Sequence, residues 1–211
     1  MTIFADRMDA GRQLAAVLES ERLTDAVVFG IPRGGVVVAA EVARALDLPL
    51  AAAVVRKLGA PSHEEYAVGA IADGVKIVNE DAVREGGVTA EQLAFVEDHE
   101  RVELERRMRL FAGATPVISR RTAIVVDDGV ATGATAIAAC RALRAQGASH
   151  IILAVPVAPA HWRPGSEVAD EYICPHRIQD FWAVGQFYID FRQTTDGEVS
   201  RLLSRDLPAE E

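Results

Sequence analysis

The chain has 211 residues, half of them apolar and a quarter charged, with a net charge of −9. That length supports one α/β domain with a sizeable core, and the composition is that of an ordinary globular chain. The acidic balance argues against a general binder of nucleic acid or membrane surface, but not against a small anion held by backbone donors. The longest apolar run near the middle, Ile151 to Ala160, is too short for a membrane span and contains two prolines. With no basic-then-apolar leader pattern at the N-terminus, a cytoplasmic protein is expected. Cys140 and Cys174 read as reduced thiols, not as a disulfide or a metal site.

Residues Asp6 to Glu19 read as an amphipathic helix with Asp6 as N-cap and Met8, Leu14, Val17 and Leu18 largely on one face. Ala26 to Gly30 reads as a buried strand, Ile31-Pro32-Arg33-Gly34-Gly35 as a sharp loop and Val36 to Leu46 as a helix. Gly34 and Gly35 permit close backbone approach to a ligand, and Arg33 offers a cation at the same place. Leu50 to Val55 reads as a second buried strand that ends in Arg56-Lys57, a pair that could equally cap a strand in solvent. Leu58 to Tyr66 has loop character. Ala67 to Ala72 and Val75 to Asn79 read as a hairpin across Asp73-Gly74.

Thr89 to Phe111 reads as a long helix opened by a Thr89/Gln92 capping box. Its run of Glu and Arg suits a solvated face with i,i+4 pairs. Leu93, Val96, Leu104, Met108 and Phe111 could pack on the domain or on a second subunit, so a homodimer is compatible with the sequence. Arg121 to Asp127 reads as the central strand, and Thr135 to Gln146 as a helix with Ile137, Cys140 and Leu143 inward and Gly147 as its stop. Ile151 to Val155 reads as a strand, Ala160 to Ala169 as a short helix and Glu171 to Cys174 as a short strand. Strands alternating with helices predict a doubly wound, mainly parallel sheet flanked by helices, with ligands beyond the strands' carboxyl ends. Phe181, Trp182, Phe187, Tyr188 and Phe191 cluster near the C-terminus, as a stacking surface or as a packed lobe.

The stretch from Ala123 to Thr135 organises the rest. A β-branched apolar run ends in Asp127 and Asp128. Gly129, Val130, Ala131, Thr132, Gly133, Ala134 and Thr135 follow, and then a helix. Two carboxylates can accept hydrogen bonds from vicinal hydroxyls, and the amides from Gly129 to Thr135 can wrap a phosphate at a helix N-terminus. An ordinary strand, Gly-rich turn and helix would explain Gly129 and Gly133, but not two consecutive acids at a strand end.

This stretch resembles the ribose-phosphate signature of type I phosphoribosyltransferases, with Gly129 the one unusual choice. Across most of the chain the resemblance is nearest to uncharacterised bacterial members, through Gly30-Ile31-Pro32-Arg33-Gly34-Gly35, Arg56-Lys57-Leu58-Gly59 and Ala183-Val184-Gly185-Gln186. It implies a single domain over residues 1–211, a mobile lid at about 57–80 and a hood at about 175–200. It also implies Mg and phosphoribosyl pyrophosphate, with ribose 5-phosphate passed to a nitrogenous base and pyrophosphate released. Asp127 and Asp128 would hold ribose hydroxyls and Mg, the latter through substrate or water. Residues 129–135 would hold the 5′-phosphate. Arg33, Gly34, Gly35, Arg56 and Lys57 would face the pyrophosphate, and Phe181 and Trp182 would stack on the base. Members acting on 6-oxopurines carry Asp directly before the Thr-Gly of the loop; Ala131 there disfavours hypoxanthine and guanine. The alternatives are a non-catalytic regulatory protein that binds phosphoribosyl pyrophosphate, or a purely structural α/β protein.

Overall fold

The computed structural model describes residues 2–20, 23, 25–61, 63–111 and 116–204, and only the backbone of Glu64 and Glu65. In chain order the elements begin α1 (Arg7–Leu18), β1 (Ala26–Gly30), α2 (Gly34–Leu46), β2 (Leu50–Ala52), β3 (Val55–Ala60), β4 (His63–Ala72) and β5 (Val75–Val78). Next come α3 (Glu80–Glu85), α4 (Ala90–Leu110), β6 (Thr122–Val126), α5 (Ala134–Ala145), β7 (His150–Ala154) and β8 (Val157–Pro159). The chain continues with β9 (Glu171–Ile173), β10 (His176–Ile178), a 3₁₀ turn at Val184–Phe187 and α6 (Asp196–Ser204).

The central sheet runs β2-β1-β6-β7-β9, and every pairing in it is parallel. The doubly wound α/β architecture is therefore present. β1 is buried along its whole length, and so are Ala123–Val126 and Ile151–Ala154, because helices cover both faces. Alternate side chains divide between the two layers. Val28, Ile124 and Ile152 pack with α1, α2 and α6, while Phe29, Val125 and Leu153 pack with α5.

The strand order positions the site. The chain steps from β1 outward to β2, then returns to place β6 on the other side of β1. Such a reversal opens a crevice at the carboxyl ends of the two strands. Gly30 pairs with Val126 across it, so residues 31–35 and 127–135 leave the sheet side by side.

Several elements differ from the sequence expectation. The strand begun at Leu50 stops at Ala52, and Arg56 and Lys57 lie inside β3 of a separate antiparallel sheet, β3-β4-β5. The stretch expected as a loop, Leu58 to Tyr66, is therefore mostly strand. Its Gly59 marks two register shifts in the β3–β4 pairing rather than a loop. Ser62, within the expected lid, lies outside the described residues. Gly34 and Gly35 form the first turn of α2 instead of the preceding loop. Ala160 to Ala169 is not helical; turns flank Pro164, whose ring excludes a continuous helix. The β4–β5 hairpin does turn at Asp73-Gly74, with Gly74 at φ +67°.

α4 opens on the anticipated capping box: Gln92 N–H donates to the Thr89 hydroxyl at 3.2 Å, and Thr89 N–H to the Gln92 side chain at 2.9 Å. Leu104 is buried, and Leu93, Val96 and Met108 pack beside it against Leu58, Val68 and Ile71. These residues thus serve the chain's own second sheet. The outer face carries pairs such as Arg109–Glu105 at 3.7 Å, worth little individually at such exposure.

α1 and α2 approach closely at Gly11, where a Cβ would lie 2.7 Å from both the Glu41 Cβ and the Val38 carbonyl oxygen. Alanine adds up to ~1 kcal/mol of helix propensity. Overpacking against backbone costs ~1–3 kcal/mol, and that cost dominates. Gly11→Ala is expected to lower the urea midpoint despite the better helix former.

Candidate functional site

β6 delivers Asp127 and Asp128 to the crevice. The Asp128 N–H donates to Asp127 Oδ1 at 2.9 Å. Asp128 Oδ2 accepts from Arg7 Nε at 2.7 Å, with the two side chains only 15% and 11% exposed. Burial pushes the Asp127 carboxyl well above the usual carboxylate range, and the Asp128 charge adds to the rise. Burial raises Asp128 too, while Arg7 opposes that shift. Two carboxylates sharing a desolvated place repel, and one cation relieves them.

Arg7 is itself held. Its guanidinium carbon lies 3.9 Å from the centre of the Phe191 ring, and Nη1 donates to the Arg192 carbonyl at 2.8 Å. The Tyr188 hydroxyl donates to the Asp128 carbonyl at 2.5 Å. Burial raises the Tyr188 phenol, which keeps it a donor. Thus α1 and the segment after the 3₁₀ turn close on the acidic pair from one side.

Glycines set the spacing. A Cβ at Gly34 would lie 2.0 Å from Asp128 Oδ2 and 2.6 Å from Arg7 Nε. One at Gly35 would lie 2.8 Å from the Val126 carbonyl oxygen. At Gly129, the unusual member of its stretch, a Cβ would meet Val184 Cγ1 at 2.6 Å. The N-terminal turn of α2 and the loop after β6 therefore touch through backbone.

The helix starts fall into two groups. Side chains cap α1 (Asp6), α3 (Asn79), α4 (Thr89) and α6 (Thr195). α2 begins at Arg33 and α5 at Gly133 with no side-chain cap. These two uncapped helices are the ones that follow β1 and β6. No side chain occupies their first-turn N–H groups, although the Val36 N–H of α2 already donates to the Arg33 carbonyl at 3.3 Å.

The other candidates divide. Val130 is buried and its N–H donates to the Val157 carbonyl at 3.0 Å, while Ala131 and Thr132 are exposed and Ala134 and Thr135 half-buried in the first turn of α5. Arg33 follows a cis Pro32–Arg33 peptide and pairs with Asp196 of α6 at 3.6 Å. Arg56 Nε donates to Glu100 of α4 at 2.6 Å. With Lys57 it lines a cavity of about 570 Å³ that also includes Phe95 and His99. The cation that bonds the acidic pair is Arg7. Phe181 packs on Phe187 with ring centres 5.1 Å apart, whereas Trp182 is 89% exposed. Sequence reasoning missed Arg7, and placed Tyr188 only in the aromatic cluster; their partners at the acidic pair lie 121 and 60 positions away without any local pattern.

Among the described residues no group of three or more His, Cys, Asp or Glu could hold a metal ion. Asp127 and Asp128 could hold Mg through water and substrate oxygens, which that ion keeps in its shell.

Residues 4–192 match the family described as the phosphoribosyl transferase domain. The chain belongs to that family. Two Mycobacterium tuberculosis proteins, from strains CDC 1551 / Oshkosh and ATCC 25618 / H37Rv, carry phosphoribosyl transferase in their names. Each is 47% identical over 212 residues, which cover 97% of this chain and 47% of theirs. The chain thus spans about half the length of these curated relatives. The crystal structure of a Thermus thermophilus protein, TT1426, superposes with a TM-score of 0.79 at 37% identity, covering 97% of this chain and 99% of that one. A hypothetical protein from Neisseria gonorrhoeae, crystallised with bound ppGpp, shares the fold at TM-score 0.54 and 14% identity, over 96% of each chain.

In this phosphoribosyl transferase domain the raised Asp127 carboxyl has a consequence for stability. An acid raised on folding favours the folded state below its unfolded pKa of ~4, and that stability is lost as pH rises through the folded value. Asp127→Asn removes the buried titratable group. The variant is expected to melt a few degrees higher than wild type at neutral pH, with the gain vanishing toward pH ~4. Melting curves across pH check this; a gain that grows on acidification contradicts it.

Proposed function

We propose that residues 1–211 act as a single Mg-dependent phosphoribosyltransferase domain. It moves ribose 5-phosphate from phosphoribosyl pyrophosphate to a nitrogenous base other than a 6-oxopurine. The observation that carries this reading is the pairing of two uncapped helix starts with two carboxylates at the β1/β6 crevice. A ligand with phosphates at both ends and hydroxyls between matches that order of donors and acceptors.

The α5 start, with Thr132 and Thr135, would hold the 5′-phosphate. Asp127 and Asp128 would accept from the ribose hydroxyls. The α2 start, with Arg33 and with Arg56 and Lys57 from β3, would serve the pyrophosphate. The reaction breaks the bond from the anomeric carbon to the pyrophosphate oxygen and forms one to the base nitrogen. When bound, Mg would neutralise charge on the departing pyrophosphate. The chain's own contribution is positioning and fixed electrostatics around a cationic sugar. Residues 57–80 would serve as the lid that excludes competing water, and residues 175–200 as the hood, with Phe181 and Trp182 toward the base. Ala131, in place of an Asp, supports an acceptor outside the 6-oxopurines.

A second reading, binding without turnover, has one observation in its favour. Arg33 and Arg56 are already engaged by Asp196 and Glu100. Incubation with Mg, phosphoribosyl pyrophosphate and a panel of bases separates the two. Pyrophosphate release with an adenine-like, orotate-like or other non-6-oxopurine acceptor is expected. Tight calorimetric binding with no release favours the sensor. The double variant Asp127→Asn, Asp128→Asn is expected to weaken ligand binding at least a hundredfold, and unchanged binding would remove the site.

A further inference from the structure

The loop after β6 has a buttress that its own residues do not supply. Beyond β8 the chain turns, with Trp162 N–H donating to the Pro159 carbonyl at 3.0 Å. This puts the half-buried Trp162 ring against the loop. Its indole Nε1 donates to the Thr132 carbonyl at 3.1 Å. The ring also covers Gly133 so closely that a Cβ there would lie 2.2 Å from Cζ2 and 2.5 Å from Cε2. Gly133 sits at φ +83°, a left-handed conformation suited to glycine. Behind the indole, Tyr172 packs edge-on with ring centres 5.5 Å apart. The same strand anchors the loop a second time through Val130 N–H to the Val157 carbonyl.

The geometry decides which way one peptide faces. The Thr132–Gly133 peptide is trans, since the cis bond of the described chain is Pro32–Arg33. In a planar trans peptide the carbonyl and the following N–H point in opposite directions. An indole that holds the Thr132 carbonyl on its own side therefore turns the Gly133 N–H to the other side. That N–H precedes the free first-turn donors of α5. Without the indole, a loop rich in small residues could rotate this peptide and present a carbonyl, an acceptor, where an anion needs donors.

We infer that Trp162 is a positioning residue that pre-orients the phosphate-binding amides at the start of α5, acting on the ligand through the Thr132–Gly133 peptide. The inference rests on the phosphoribosyl reading above and adds a residue from a different part of the chain. Such a residue serves the unreacting phosphate equally in ground and transition states. Its loss therefore raises KM more than it lowers kcat.

Trp162→Phe keeps a ring over Gly133 and removes the N–H. Calorimetry with ribose 5-phosphate, and with phosphoribosyl pyrophosphate plus Mg, is expected to show binding weakened about three- to tenfold, the scale of one net hydrogen bond. Where turnover is measurable, KM should rise by a similar factor while kcat stays within twofold. A second measurement leaves Trp162 in place. In a Trp182→Phe background it is the sole tryptophan, and its emission should change on titration with ribose 5-phosphate. Wild-type protein that binds, with Trp162→Phe equal to it within twofold, overturns the role of Trp162 alone. So does binding seen by calorimetry with no change in Trp162 emission, even if Trp162→Phe does not fold. Wild-type protein that binds neither ligand overturns the parent reading and this one with it.

Discussion

Two adjacent carboxylates at the end of a buried strand are an awkward thing to fold around. Taking charge from water is costly unless a partner and hydrogen bonds replace the hydration. At Asp127 and Asp128 the replacement comes from one backbone N–H and one guanidinium. The guanidinium must then be held, and it is, by the face of Phe191 and the carbonyl of Arg192. That requirement reaches both ends of the described chain. Phe4 bridges to Tyr188, Tyr188 holds the Asp128 carbonyl, and α1 carries Arg7. The tertiary closure of the N- and C-terminal segments thus serves the acidic pair as well as the buried cluster of Phe4, Phe187 and Tyr188.

The glycines around the pair are excluded-volume residues first. Gly34, Gly35 and Gly129 each stand where a Cβ would strike a different neighbour: the Asp128 carboxylate, the β6 backbone and Val184. This explains how the start of α2 and the loop after β6 hold small residues without being loose. Each missing methyl group is filled by a neighbour from elsewhere in the chain, so the backbone is crowded, and crowding limits its conformations. The departure at Gly129 from the family signature has this cause: Val184 of the 3₁₀ turn occupies the space a side chain would need.

What the sequence makes legible follows from how local each cause is. The runs at Ala26–Gly30, Thr122–Val126 and His150–Ala154 announce buried parallel strands because burial on both faces leaves no polar alternation. The Thr89/Gln92 box and the Asp-Gly turn are chemistry between residues a few positions apart, and both are found. The β3–β4 pairing was hidden because Gly59 and Pro61 look like loop residues, whereas in the structure Gly59 sits at a register shift. The helix expected over Ala160–Ala169 ignored Pro164 and Gly165. Arg7 was invisible for a deeper reason. Its value lies in a carboxylate 121 positions away, and nothing near it in the chain reports that distance.

The two kinds of helix start carry the functional argument further than any single side chain. A missing N-cap costs ~1 kcal/mol of stability, and a chain could recover that cheaply with a Ser, Thr, Asp or Asn. Four helices here do so. Among the described residues, the two that do not are the two that follow β1 and β6, the strands that flank the crevice. A capping side chain would occupy the donors an anion needs, and a capping carboxylate would repel the anion as well. The net charge of −9 sharpens the point. The chain attracts no anion by its overall field, so affinity for one must be built at short range, from oriented amides and neighbouring cationic side chains. Leaving both helix starts open beside a pair of carboxylates favours a ligand that is anionic at its ends and hydroxylated between them, which a simple phosphate is not.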